Sequence, residues 1–199
     1  MNSTLSKKPN TKKFKFKKVK KHLDPRIGTH IPKNKTFYNS LTKFYEEKPS
    51  NKLKPTQLFT GSPKFWRRPK MNEIDINKTR KYVDDNKLSV FIHSIYLINL
   101  SKSPLEFKER ALECLQYELE IGTKLGFKGV VVHCGKSLKL NNTLALQNMY
   151  DNIISIYESG CISNSNPLLI ETSPVEKPFV PAGTVMSSPI VSRIVLITP

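Results

Sequence analysis

Cysteine is scarce and odd in number. There are three in 199 residues, Cys114, Cys134 and Cys161, with no Cys-x-x-Cys spacing and no signal peptide. This pattern argues against a disulfide framework and points to reduced thiols in an intracellular setting. Long apolar runs are missing as well. None approaches the ~20 residues needed to span a bilayer, so no membrane association is expected. Negative charge is the third shortage: 16 Asp and Glu stand against 33 Lys and Arg, a net charge of +17. An excess of that size favours a polyanionic partner, nucleic acid ahead of an acidic lipid surface.

What is present is a soluble composition, 38% hydrophobic and 25% charged, in a length that suits one domain. The charge is uneven. Nine lysines lie between Lys7 and Lys21 with no acid among them. Phe14, Phe16 and Val19 alternate with lysine, so a short strand is conceivable there. Mutual repulsion and the lack of anything to bury instead make residues 1–25 a flexible basic arm. Such an arm binds phosphates without sequence preference or serves as a nuclear address.

From residue 26 onward, strand-like runs recur over 26–31, 56–60, 89–93, 129–133 and 168–171. Helical patterns fill the later intervals, over 74–86, 103–127 and 142–159. The second is the clearest. Ser103 stands as N-cap, Pro104 at the first helical position, Glu106 completes a capping box, and Gly126 suits the end. Its apolar positions Leu105, Leu112, Leu115, Leu119 and Ile121 roughly follow the helical period. In the third, Leu146, Met149, Ile153 and Tyr157 share one face. Alternating helices and nearly continuous β-branched strands predict a parallel sheet in an α/β fold.

Three of those strands end on ligand-capable side chains. Ser89-Val-Phe-Ile-His93, Gly129-Val-Val-Val-His133 and Leu168-Leu-Ile-Glu171 each carry one at the C-terminal tip. Residues from several strand ends converge in a (β/α) barrel, which favours that architecture over a doubly wound sheet. Imidazole and carboxylate together suit Zn²⁺ or Mn²⁺. Cys134 follows His133 directly and is expected to point to the opposite face.

The run His93-Ser-Ile-Tyr96-Leu97-Ile-Asn99 is the most distinctive piece of the chain. With Ile27-Gly-Thr-His30-Ile, Leu58-Phe-Thr60 through Trp66-Arg67, Leu125-Gly126, His133-Cys-Gly135 and Ile170-Glu171-Thr172, it resembles endonuclease IV, the zinc-dependent apurinic/apyrimidinic endonuclease family. The resemblance covers residues 26–173. It implies a (β/α)8 TIM barrel, of which about five βα units stand in this chain. It also implies hydrolysis of the phosphodiester 5′ to an abasic site in duplex DNA, by a monomer holding three zinc ions. His93, His133 and Glu171 match the ligands of one zinc, with Glu171 bridging to a second and so catalytic. Tyr96 and Leu97 match a pair that enters the duplex at the lesion. Lys64 and Phe65 occupy a second inserting loop, where the family usually carries an Arg-Gln type of pair. Arg67, Arg68 and Lys70 are expected to meet phosphates. His30 matches a first-strand histidine near the site that is not a metal ligand.

The match stops at Ser173-Pro174-Val175-Glu176, where the family continues differently, and no histidine follows His133. One zinc site is fully supplied here. The Pro-rich stretch 174–199 reads as a divergent tail in which 191–197 could form a strand, and the chain as a truncated form. A five-strand sheet is expected to leave two apolar edges open. Two other readings fit part of these residues. One is a catalytically impaired DNA-binding remnant. The other is a sugar isomerase or epimerase on a xylose-isomerase-like barrel, which needs neither a DNA wedge nor +17. The setting implied is the nucleus, or a viral factory or virion.

Overall fold

The computed structural model describes residues 28–47 and 49–171, with the backbone of 194–197. The basic arm, 1–25, lies outside those residues, as does most of 174–199. The elements are β1 (Thr29–His30), α1 (Phe37–Glu47), a 3-10 turn at Pro49–Leu53, β2 (Thr56–Leu58), α2 (Glu73–Asp85), β3 (Val90–His93), α3 (Pro104–Leu125), β4 (Val130–His133), α4 (Asn142–Glu158), β5 (Leu168–Glu171) and β6 (Ile194–Ile197). The strands follow one another in sheet order β1 to β6. All neighbours through β5 are parallel. This is the partial barrel that strand–helix alternation predicts.

Alternation along each strand sorts the side chains. Leu58, Val90, Ile92, Val130, Val132, Leu168 and Ile170 join the main buried cluster with helix residues such as Leu115, Leu119 and Leu125. Burying each large aliphatic side chain contributes about 1.5–3 kcal/mol. The register aligns His30 with Gln57, Gln57 with Phe91, His93 with Val131, and His133 with Glu171. Those residues share the opposite, inner face. His93 pairs two residues short of His133. This stagger, the shear of a barrel, still leaves both histidines on one rim.

Local chemistry fixes the helices. The Ser103 hydroxyl accepts the Glu106 N–H and donates to the Glu106 carboxylate. Gly126 adopts φ 72°, and the Phe127 N–H returns to the Gly122 carbonyl at 2.9 Å. Asn72 and Asn141 cap α2 and α4. Helix α1 is capped both locally and from a distance: the Thr36 hydroxyl accepts the Asn39 N–H, and the Asp75 carboxylate accepts the backbone N–H groups of Phe37 and Tyr38. An anion there also suits the positive end of the helix dipole.

Several expectations change. In α3, Leu105 is exposed and Leu112 half-buried; Phe107, Ala111, Cys114 and Glu118 take the core face instead. The buried stripe of α4 is Ala145, Asn148, Asn152 and Ile156, while Leu146 and Tyr157 face outward. The cause is polar: the Asn148 and Asn152 amides donate to the carbonyls of Ser101, Leu100 and Lys102, holding the loop after β3. The β5 edge is not open, since β6 pairs with it antiparallel, Glu171 opposite Ile194.

Candidate metal centre

His93, His133 and Glu171 meet at the C-terminal rim of the sheet. His93 Nε2 and His133 Nε2 lie 3.3 Å apart, and Glu171 Oε2 stands 3.6 and 3.5 Å from them. Tetrahedral coordination places donor atoms about 1.63 bond lengths apart, so Zn²⁺ bonds of about 2.0–2.2 Å need edges of about 3.3–3.6 Å. The observed triangle has those edges. It is the one group of this kind among the described residues.

The protonation pattern asks for a cation. His93 Nδ1 lies 2.7 Å from the Ser94 carbonyl, which can only accept, so Nδ1 carries the hydrogen. The Nε2 lone pair then faces the Glu171 carboxylate, acceptor against acceptor. A bound metal ion resolves that repulsion, and the backbone carbonyl is the usual outer partner of a ligating imidazole. Burial holds the His93 imidazole below its usual value, which favours the neutral form a metal requires.

Aromatic rings wall the site. Phe59 sits 4.6 Å from His30, 5.1 Å from His93 and 5.3 Å from Tyr96, centroid to centroid. Tyr96 also packs edge-on against both histidines, at 5.5 and 5.9 Å. His30 is exposed, with its ring 6.0 Å from His93 and outside the ligand triangle. Cys134 turns to the helix side and packs against the core cluster.

Two loops stand over the rim. Phe65 is 66% exposed, Tyr96 57% and Leu97 40%; Lys64, Arg67 and Lys70 are exposed too. The Tyr96 N–H donates to the Pro63 carbonyl at 3.1 Å, so the loops are joined. Arg68 differs from its basic neighbours. Its side chain is only 7% exposed and faces Glu118 at 3.5 Å. It donates to the Thr60 hydroxyl and to the carbonyls of Ser62, Phe65 and Trp66. Those internal partners engage the Arg68 guanidinium, whereas Lys64, Arg67 and Lys70 stay exposed.

Three residues had no role in the sequence reading. Phe59 was detectable by counting two along from Gln57 on the inner face. Asn99 accepts the N–H groups of Ser101 and Lys136 and donates to the Lys136 carbonyl, clasping the loops after β3 and β4. Glu118 lies in the middle of a long helix, and no local signal sets it apart from the neighbouring acids.

The fold and this rim define a metal-ready parallel barrel. The sequence model of the xylose isomerase-like TIM barrel family matches residues 55–171, and the chain belongs to that family. A probable endonuclease 4 of Haloarcula marismortui is 26% identical over 148 residues, covering 74% of this chain and 50% of its relative. A probable endonuclease 4 of Thermosipho africanus is 32% identical over 118 residues, 57% of this chain and 40% of the relative. The crystal structure of endonuclease IV from Thermus thermophilus superposes with a TM-score of 0.62 at 24% identity, over 77% of this chain and 54% of that one. The chain spans about half the length of the curated relatives it matches.

Proposed function

We propose that this chain acts on duplex DNA at abasic sites as a zinc-dependent endonuclease of the endonuclease IV type, hydrolysing the phosphodiester on the 5′ side. The observation that carries this reading is the His93–His133–Glu171 triangle, whose 3.3–3.6 Å edges suit Zn²⁺. His93 is oriented by the Ser94 carbonyl, and His133 and Glu171 complete a set with one position left for a ligand. Zinc held there would neutralise charge growing on a phosphate oxygen. Phe65, Tyr96 and Leu97 protrude beside it as an apolar wedge. Wedging costs least where a base is already missing, a physical source of lesion selectivity. Lys64 and Arg67, exposed on the same turn as Phe65, would meet phosphates. The protein would work as a monomer in a compartment that holds DNA, the nucleus or a viral factory.

A DNA-binding remnant is the second reading, favoured by there being one such ligand group among the described residues. A labelled duplex carrying a tetrahydrofuran abasic analogue separates the two. Incision leaving a 3′ hydroxyl, lost on chelation, is expected of the enzyme. Selective binding without incision, at one zinc or none, identifies the remnant. Neither incision nor selectivity with zinc supplied would sink both.

A further inference from the structure

Beneath the two rim loops lies a wholly buried carboxylate, Glu118 of α3. Its Oε2 accepts the Ser94 hydroxyl at 2.5 Å and its Oε1 the Thr60 hydroxyl at 3.0 Å. Arg68 faces it at 3.5 Å and spreads the rest of its guanidinium over the carbonyls of Ser62, Phe65 and Trp66. Ser94 and Thr60 directly follow a metal-site histidine and the aromatic wall, respectively. The Ser94 carbonyl also holds His93 Nδ1. One buried carboxyl group therefore reaches the ligand rim on one side and the turn that presents Phe65 on the other. The second loop is linked in by the Tyr96 N–H to Pro63. Apolar residues of similar volume fill such a site without the desolvation penalty of an ion pair, so stability alone does not account for it.

The geometry points to Glu118 and Arg68 as positioning residues that hold the Phe65 turn at a fixed height beside Tyr96 and the metal-site histidines, so that the wedge is formed before DNA arrives. This rests on the abasic-duplex reading above. A preformed wedge forgoes the ordering cost that a mobile loop meets on binding, and the gain appears in selectivity for the damaged duplex.

Trp66, the one tryptophan of the chain, sits in this turn and reports on it without DNA. The test uses the full chain with zinc and the variants Arg68→Met, Arg68→Lys and Glu118→Gln. The last keeps the shape and the hydroxyl partners and removes the charge. Thermal melting first establishes that each variant folds. Acrylamide should then quench Trp66 more readily in Arg68→Met and Glu118→Gln, at unchanged zinc affinity. The preference for a tetrahydrofuran duplex over an intact one should fall about tenfold, a change of about 1.4 kcal/mol, while intact-duplex affinity holds. Arg68→Lys should rescue only in part, because an ammonium cannot fork to several carbonyls. Folded variants with unchanged quenching and unchanged preference overturn the inference. So does a variant that loses melting temperature alone. If the unaltered chain shows no preference for the abasic duplex, the functional reading fails, and the quenching series alone decides whether the turn is held as described.

Discussion

His93 and His133 present their Nε2 atoms to one another across 3.3 Å from neighbouring strand ends. The β3–β4 register leaves His93 two residues short of His133 but on the same inner face and rim, and Glu171, opposite His133 in register, closes the triangle. Three backbone relationships thus set the site before any side chain chooses a rotamer.

Removing one corner should release the metal. His133→Ala or Glu171→Gln is expected to weaken zinc binding by more than the ~10–100-fold that follows loss of an outer partner. Competition with a chromophoric chelator measures this, and unchanged affinity would place the metal elsewhere.

Tyr96→Ala separates fold from function. The ring is mostly exposed, so urea unfolding should shift by no more than about 0.5 kcal/mol. Binding to an abasic duplex should weaken by about 1–3 kcal/mol, the usual worth of an aromatic face against a base. Equal losses on damaged and intact DNA would count against a wedge.

Glu118 should leave a pH signature. Burial pushes its carboxyl up to about 7, against opposing contributions from Ser94, Arg68 and Thr60. Between the ordinary carboxylate value and about 7, the folded chain keeps a proton that the unfolded chain has lost. Stability from this group is therefore full at low pH and declines as pH rises through that window. Glu118→Gln should flatten the fall in urea midpoint between about pH 5 and 7, and a parallel pair of profiles would contradict the assignment.

Gly135→Ala should be costly. Gly135 has φ 90°, and a Cβ there would fall 1.9 Å from Asn99 Oδ1. Strain at such a position costs of order 1–3 kcal/mol, and here the Asn99 clasp would be displaced as well. Denaturant unfolding measures the first effect. Faster amide exchange at Lys136 and Ser101 would show the second.

Asp75→Ala should loosen α1 specifically. Two backbone N–H groups lose their acceptor, a cap worth about 1 kcal/mol. Hydrogen exchange should rise at Phe37 and Tyr38 while β4 and β5 stay protected.

The later strands and the convergence of His93, His133 and Glu171 were legible because β3, β4 and β5 are short apolar runs ending on an unlike residue, and because His-x-x-Tyr-Leu-Ile-Asn is distinctive. Helix α1 was missed for an equally physical reason. Its buried residues, Phe37, Ser40, Leu41 and Tyr45, include a polar one, and part of its cap is contributed by Asp75 of α2 beside the local Thr36. The face of α4 was misread because Asn148 and Asn152 are buried to bind a loop, which hydropathy cannot register. Arg68 and Arg67 are indistinguishable as letters; only the tertiary position of Glu118 turns one inward and leaves the other out.

The remote cap of α1 also bears on how the chain folds. Its 11 residues are too few for a helix to persist alone in water. Thr36 caps Asn39 locally, but the acceptor for the Phe37 and Tyr38 N–H groups arrives 38 residues after Phe37, in the first turn of α2. As the chain leaves a ribosome, α1 should therefore remain fluctuating until α2 has emerged. The two should then appear together as one kinetic event, with β2 drawn in between them.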